Sequence, residues 1–215
     1  KDYAFGWSNG ILESMTLLVP DFYGGGSTTP LSKGSASEKA LRTQGLEPAQ
    51  INDFVKGAPT YWGDQPFTGG PIYGSVILVF LAILGIWAAP RASLITFGSI
   101  IVLSLMLSWG KNLAWFNYTL FDSLPGYNKF RAVSMALGMT LFAVPVLGMI
   151  ALEKLTQTKV LKPLLISGGI VAGITLLLAV MGTAFFRFEG AGDANYPDWL
   201  VTALQADRKE LLSSS

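Results

Sequence analysis

The sequence predicts an all-α integral membrane protein: four transmembrane helices preceded by an extracytoplasmic N-terminal segment with short helices. Three observations carry this. Charged residues make up 13% of the chain, about half the share usual in a soluble domain, and 51% of its residues are hydrophobic. Four uncharged runs approach the roughly 20 residues that a helix needs to cross a bilayer. None of those runs has a polar face to turn toward water, as a helix of a soluble bundle would.

The first run covers 72–89, the second 92–110, the third 132–152 and the fourth 163–186. Leu, Ile, Val, Ala, Phe and Met fill them, with glycines and a mid-span Pro145 that membrane helices tolerate and water-soluble ones do not. Only Pro90 and Arg91 separate the first two runs, which predicts an antiparallel hairpin. Residues 153–162 join the last two and carry Lys154, Lys159 and Lys162 against Glu153. With Arg91, that side holds four cations and one anion, so the positive-inside tendency makes it cytoplasmic.

The opposite side then holds 1–71, the loop between the second and third runs, and 187–215. The first and last of these segments are acidic, with five cations against seven anions and three against five. The middle loop runs the other way, with Lys111, Lys129 and Arg131 against Asp122 alone. Aromatic residues mark the boundaries: Tyr61, Trp62, Phe67 and Tyr73 before the first run, and Trp109, Trp115, Phe116, Tyr118 and Phe121 after the second.

Short helices are predicted in the N-terminal segment. Asn9 can cap one through about Leu18, Ser35 with Glu38 has capping-box spacing for one to about Thr43, and Pro48 suits the first turn of one ending near Gly57. Gly24–Gly26 and Gly69–Gly70 read as flexible joints. Pro197 opens a last helix, with Trp199, Leu200, Ala203, Leu204 and Leu211 on one face and Asp207, Arg208 and Lys209 polar. It reads as an interfacial helix leading toward a further span. The chain opens on Lys1 without a signal-peptide pattern and is read as an internal piece of a longer protein.

Composition also excludes chemistry. The absence of Cys and His removes thiol catalysis, Cys/His zinc sites and Ser-His triads. A net charge of +1 supplies no basic face for nucleic acid. No acid or lysine interrupts any of the four runs, which argues against an ion-coupled transporter using these helices. "FYGGGST" lacks the lysine of a nucleotide loop and reads as a turn. Arg187 and Glu189 read as a surface pair.

Two stretches could bind a ligand. "YWGDQPFTGGPIYG" sets Asp64 among Tyr61 and Trp62, a pattern that suits a sugar and equally suits an interfacial turn. "SLPGYNKFRAVSMAL" places Asn128, Lys129 and Arg131 after a Pro-Gly turn at the mouth of the third run. Two cations there can be anchors reaching to the interface. They can also hold a phosphate, Arg by a two-pronged contact and Lys as a point charge. The residues alone leave both readings open.

The stretches "ESMTLLVPDFYGG", "YWGDQPFTGGPIYGSVILVFLAILG", "LSLMLSWGKN" and "LFDSLPGYNKFRAVSM", in that order, resemble the YfhO-like family of bacterial multi-spanning membrane proteins. That family is similar to the GT-C membrane glycosyltransferases. The resemblance implies a multi-pass protein of the bacterial cytoplasmic membrane, with its large loops outside. It implies transfer of a sugar from a polyprenyl-phosphate donor to a cell-envelope acceptor. Lys129, Arg131 and Asn128 would then bind the lipid phosphate, and Asp64, Asp122, Tyr61, Trp62 and Lys111 would hold sugar or acceptor or support those that do. The family's catalytic carboxylate matches no position here, so the catalytic residue is unassigned. No metal ligand is named, although such chemistry leaves room for a divalent ion. Membrane lipids are the partners implied, and no protein partner is. The rival readings are a lipid or polysaccharide transporter and a non-enzymatic subunit of a cell-envelope complex.

Overall fold

The structure, a computed structural model, describes residues 2–129, 131–157 and 161–215. Lys1, Phe130 and Lys159, which enter the sequence reading, lie outside them. The α-helices are α1 (Asp2–Gly6), α2 (Ala36–Thr43), α3 (Pro48–Lys56), α4 (Val76–Ala88), α5 (Arg91–Ser108), α6 (Ala114–Ser123), α7 (Leu137–Gln157), α8 (Leu161–Phe185) and α9 (Asp198–Ser214). Among the described residues there is no strand, only two isolated bridges.

Three stretches are long and apolar enough to cross a membrane: Arg91–Ser108, Val133–Leu155 and Leu161–Val180. The first expected span is shorter than the sequence suggests. Its helix, α4, has 13 residues, about 20 Å against a hydrocarbon core of about 30 Å. Residues 72–75 stay out of it because Gly74 N–H is taken by Leu17 O at 3.1 Å and Ser75 turns left-handed at φ 67°.

The chain divides into two compact units that do not follow the three segments expected from sequence. One comprises Lys1–Leu18 and Tyr73–Leu176. The other comprises Val19–Ile72 and Leu177–Ser215. The first 18 residues thus belong with the apolar helices and not with the rest of the N-terminal segment.

In the first unit α7 is the central helix. Ala143, Val144, Leu147 and Ala151 form a buried stripe along it, and α4 and α5 pack against it. Small residues allow the α4–α7 approach. A Cβ on Gly85 would lie 2.9 Å from Leu147 Cγ, and one on Gly148 would lie 3.0 Å from Leu81 Cβ. Between α5 and α7 the hydroxyls of Ser104 and Thr140, both fully buried, share a 2.5 Å hydrogen bond. The outer sides of α5 and α8 are aliphatic, with Ile95, Val102, Leu103, Leu165 and Leu176 exposed.

The second unit is built differently. Ser35 Oγ accepts Glu38 N–H to cap α2, and Pro48 opens α3, which ends at Gly57. Leu41 of α2, Ile51 of α3 and Leu200 and Leu204 of α9 make one core, with Trp199 packed on it. Asp207 and Arg208, expected on a polar face of α9, are instead buried. The Asp207 carboxylate accepts Ala36 N–H at 2.6 Å and Ser37 N–H at 2.9 Å, tying α9 to the first turn of α2. The Arg208 guanidinium, 1% exposed, donates in two prongs to Asp193 at 2.6 and 2.8 Å and to the carbonyls of Phe188 and Pro59. The Gly24–Gly26 run is a packing site more than a joint. Side chains at Gly24 and Gly25 would strike Thr60, which donates through Oγ1 to Gly26 O.

Candidate functional site

The expected phosphate-binding residues lie where the N-terminal segment, the end of α5, α6 and the start of the third apolar stretch meet within the first unit. Residues 110–131, read from sequence as a loop, contain α6. Asn9, expected to cap a helix, serves a different end: its N–H donates to Ser108 O at 2.8 Å, closing the last turn of α5. The turn that does form nearby is a 3₁₀ helix, Leu12–Leu17. Further ties hold the same junction. Lys111 N–H donates to Ser8 Oγ at 2.8 Å, Asn112 Nδ2 to Asn9 O at 2.9 Å, and Trp109 Nε1 to Ser14 Oγ at 2.7 Å.

Gly110 makes this junction possible. It sits at φ 43°, and a Cβ there would collide with Ser8 Oγ and Val133 Cγ2. The backbone that carries Lys111 therefore lies against the segment that follows Arg131. Ser134 N–H donates to Trp7 O at 3.2 Å and fixes that segment from the other direction.

The loop that carries the cations is anchored by one buried residue. Tyr127 donates through its hydroxyl to Asn117 Oδ1 at 2.7 Å. Asn117, fully buried in the middle of α6, donates through Nδ2 to Met106 O at 2.9 Å and Leu113 O at 3.3 Å. Burial pushes the Tyr127 hydroxyl up to about 12, so it remains a donor throughout the neutral range. Phe5 and Val133 complete a cluster around Tyr127, with Leu107, Leu120 and Phe121 packed on it. On this foundation Asn128, Lys129 and Arg131 are all exposed. The Arg131 guanidinium carbon stands 5.8 Å from the centre of the Tyr3 ring, a cation–π distance that holds the fork over an aromatic face.

The remaining candidates separate. Lys111 and Asp122 are exposed and belong to this same unit. Asp64, Tyr61 and Trp62 belong to the second unit. Asp64 is exposed there, and the Tyr61 hydroxyl accepts Gln65 N–H at 3.0 Å. Trp62 is buried and its indole is stacked on Tyr23, centroids 4.2 Å apart at 22°, with Phe186 and Phe188 at 5.3 and 5.2 Å. Its ring faces lie against the other aromatic side chains of this unit. Two positions before Tyr23, burial raises the Asp21 carboxyl above the ordinary aspartate range. Among the described residues no group of three or more carboxylates is placed to hold a metal ion.

Sequence reasoning missed Tyr3 and Asn117. Tyr3 lies 128 positions from Arg131, and nothing local announces the contact. Asn117 had a weak signal, as the one amide within the aromatic run "WFNYTLF". In comparisons with known proteins, no protein-family model, curated protein or solved structure matches the chain.

Proposed function

We propose that this chain is part of a membrane glycosyltransferase of the GT-C kind, and that the Asn128–Arg131 loop holds the phosphate of a polyprenyl-linked sugar. The chemistry is attack by an acceptor hydroxyl on the anomeric carbon. The bond from that carbon to the phosphate oxygen breaks, and polyprenyl phosphate leaves with the electron pair. Lys129 and Arg131 stabilise the charge that grows on the leaving phosphate. A carboxylate base takes the hydroxyl proton, and none of the residues above is assigned to that role.

One observation supports the loop's part in this: two exposed cations stand on a backbone fixed from beneath by the Tyr127–Asn117 hydrogen bond. A snorkelling anchor needs a long side chain near a helix end and no such foundation. The motif resemblance supplies the sugar-transfer half of the reading.

The test is transfer of labelled sugar from a polyprenyl-phosphate donor by the full-length protein in proteoliposomes. The Lys129→Ala/Arg131→Ala variant should lose about 10²-fold or more in turnover with its melting temperature unchanged. A folded double variant with wild-type turnover overturns the loop's role. Movement of labelled lipid without sugar transfer overturns the glycosyltransferase reading in favour of a transporter.

A further inference from the structure

Helix α6 has two unlike faces. Asn117, Leu120 and Phe121, spaced as one side of a helix, turn inward against Met106, Phe5 and Tyr127. Trp115, Tyr118, Thr119, Asp122 and Ser123 are exposed. Trp115 is 72% exposed, the highest value of any large hydrophobic side chain among the described residues. The outward residues differ in kind from those of the preceding helix. Where α5 shows Ile95, Val102 and Leu103, α6 shows rings with a polar tip, hydroxyls and one acid. Aliphatic faces suit the hydrocarbon interior, whereas Trp and Tyr suit the headgroup boundary, with an apolar body on one side and a hydrogen-bonding end on the other.

Charge points to the same layer. Lys111 stands exposed just before α6, and Lys129 and Arg131 stand exposed just after it, against Asp122 alone. The junction at Gly110 and Val133 brings the first and last of these segments together. A surface with this balance is complementary to lipid phosphates.

We propose that α6 lies in the headgroup layer of an anionic lipid membrane, with Trp115 and Tyr118 seated at the acyl boundary and Lys111, Lys129 and Arg131 at the level of the phosphates. The inference rests on the membrane reading above and does not require sugar transfer. Its occupant is the bulk lipid surface, so it can be tested with no polyprenyl lipid present.

The full chain is reconstituted in phosphatidylcholine vesicles, with and without phosphatidylglycerol, using lipids brominated near the carbonyl end of the acyl chain. Tryptophan quenching is compared between wild type and Trp115→Phe. Trp115 is one of six tryptophans, and Trp62 is shielded in an aromatic core, so the variant should lose more than an equal share, about one-sixth, of the quenchable signal. That share should grow when phosphatidylglycerol is present and fall back with added salt. Trp87→Phe, a change on α4, should leave the phosphatidylglycerol dependence in place. Equal quenching in wild type and Trp115→Phe overturns the proposal. A Trp115 signal indifferent to phosphatidylglycerol overturns its anionic part. In a Lys129→Ala/Arg131→Ala protein Trp115 should keep its quenching in phosphatidylcholine and lose most of its phosphatidylglycerol dependence whether or not sugar transfer survives, which separates this inference from the catalytic one.

Discussion

The two units solve the problem of buried polar groups in opposite ways. In the first, the fully buried polar side chains are neutral: Ser8, Ser104, Ser108, Asn117, Thr140 and Ser167. Each but Ser167 is seen to satisfy itself on a neighbouring carbonyl or hydroxyl, and the cations are left outside. Glu13, 4% exposed, is the exception, and its carboxylate takes Gly10 N–H at 2.9 Å. In the second unit the charges go inside, where Asp193, Asp207 and Arg208 are all buried. The comparison teaches that the apolar unit can be locked with single neutral hydrogen bonds, since little else there competes for them. The second unit instead buries one ion pair, its guanidinium met by the Asp193 carboxylate and by the carbonyls of Phe188 and Pro59.

The largest expected effect is the loss of that pair. Arg208→Ala leaves Asp193 buried and strips donors from the carbonyls of Phe188 and Pro59. Breaking a buried pair on one side costs about 3–5 kcal/mol. Phe188 adds to this, because its φ of 55° is unusual for a bulky residue and its carbonyl is held by Arg208 Nη1. Hydrogen exchange should speed up across α9 and α2 and much less across α5 and α7. Replacing both partners with apolar residues, Asp193→Leu/Arg208→Met, should recover much of the loss. Uniform loss of protection over both units would show that the pair does not belong to one unit's stability.

A smaller effect is expected from the neutral lock. Asn117→Ala removes the acceptor of the Tyr127 hydroxyl bond and the donor to the Met106 carbonyl, a cost of about 1–3 kcal/mol. Exchange should rise over α6 and the Tyr127–Lys129 turn, and Lys129 and Arg131 should bind phosphate-bearing lipid more weakly although neither is altered. Unchanged exchange in that turn would mean the loop is held by its aromatic packing alone.

These two locks also mark how far the sequence was legible. The N-cap at Ser35, the proline starts at Pro48 and Pro197, and the three long apolar stretches were readable because each depends on residues within a turn or two. The exposure of Lys129 and Arg131 followed from their place at the mouth of an apolar run. Arg208 was misjudged for the opposite reason. A charge on an amphipathic helix is ordinarily solvated, and its partner lies 15 positions away in a stretch with no pattern of its own. The capping role expected of Asn9 is not filled because the turn that forms begins only at Leu12, where the Glu13 carboxylate instead takes Gly10 N–H. The shortening of α4 likewise depended on Leu17, far upstream of the run it truncates.

The smallest effect sharpens the contrast by pH. Tyr127 titrates at about 12 in the folded chain, while an unfolded tyrosine titrates near 10. Below about pH 10 both states keep the proton and the residue contributes no pH dependence. Between about 10 and 12 the unfolded chain holds fewer protons than the folded one, so stability falls as pH rises through that window. The loss should fall on the first unit, where Tyr127 sits, and α6 should loosen before α9. Tyr127→Phe removes the titrating group. Its melting temperature should start lower at neutral pH, by the loss of one hydrogen bond, and then decline less steeply than wild type above pH 10. Parallel alkaline declines in the two proteins would place the titration elsewhere and leave the Tyr127–Asn117 bond as a purely geometric support for the cations above it.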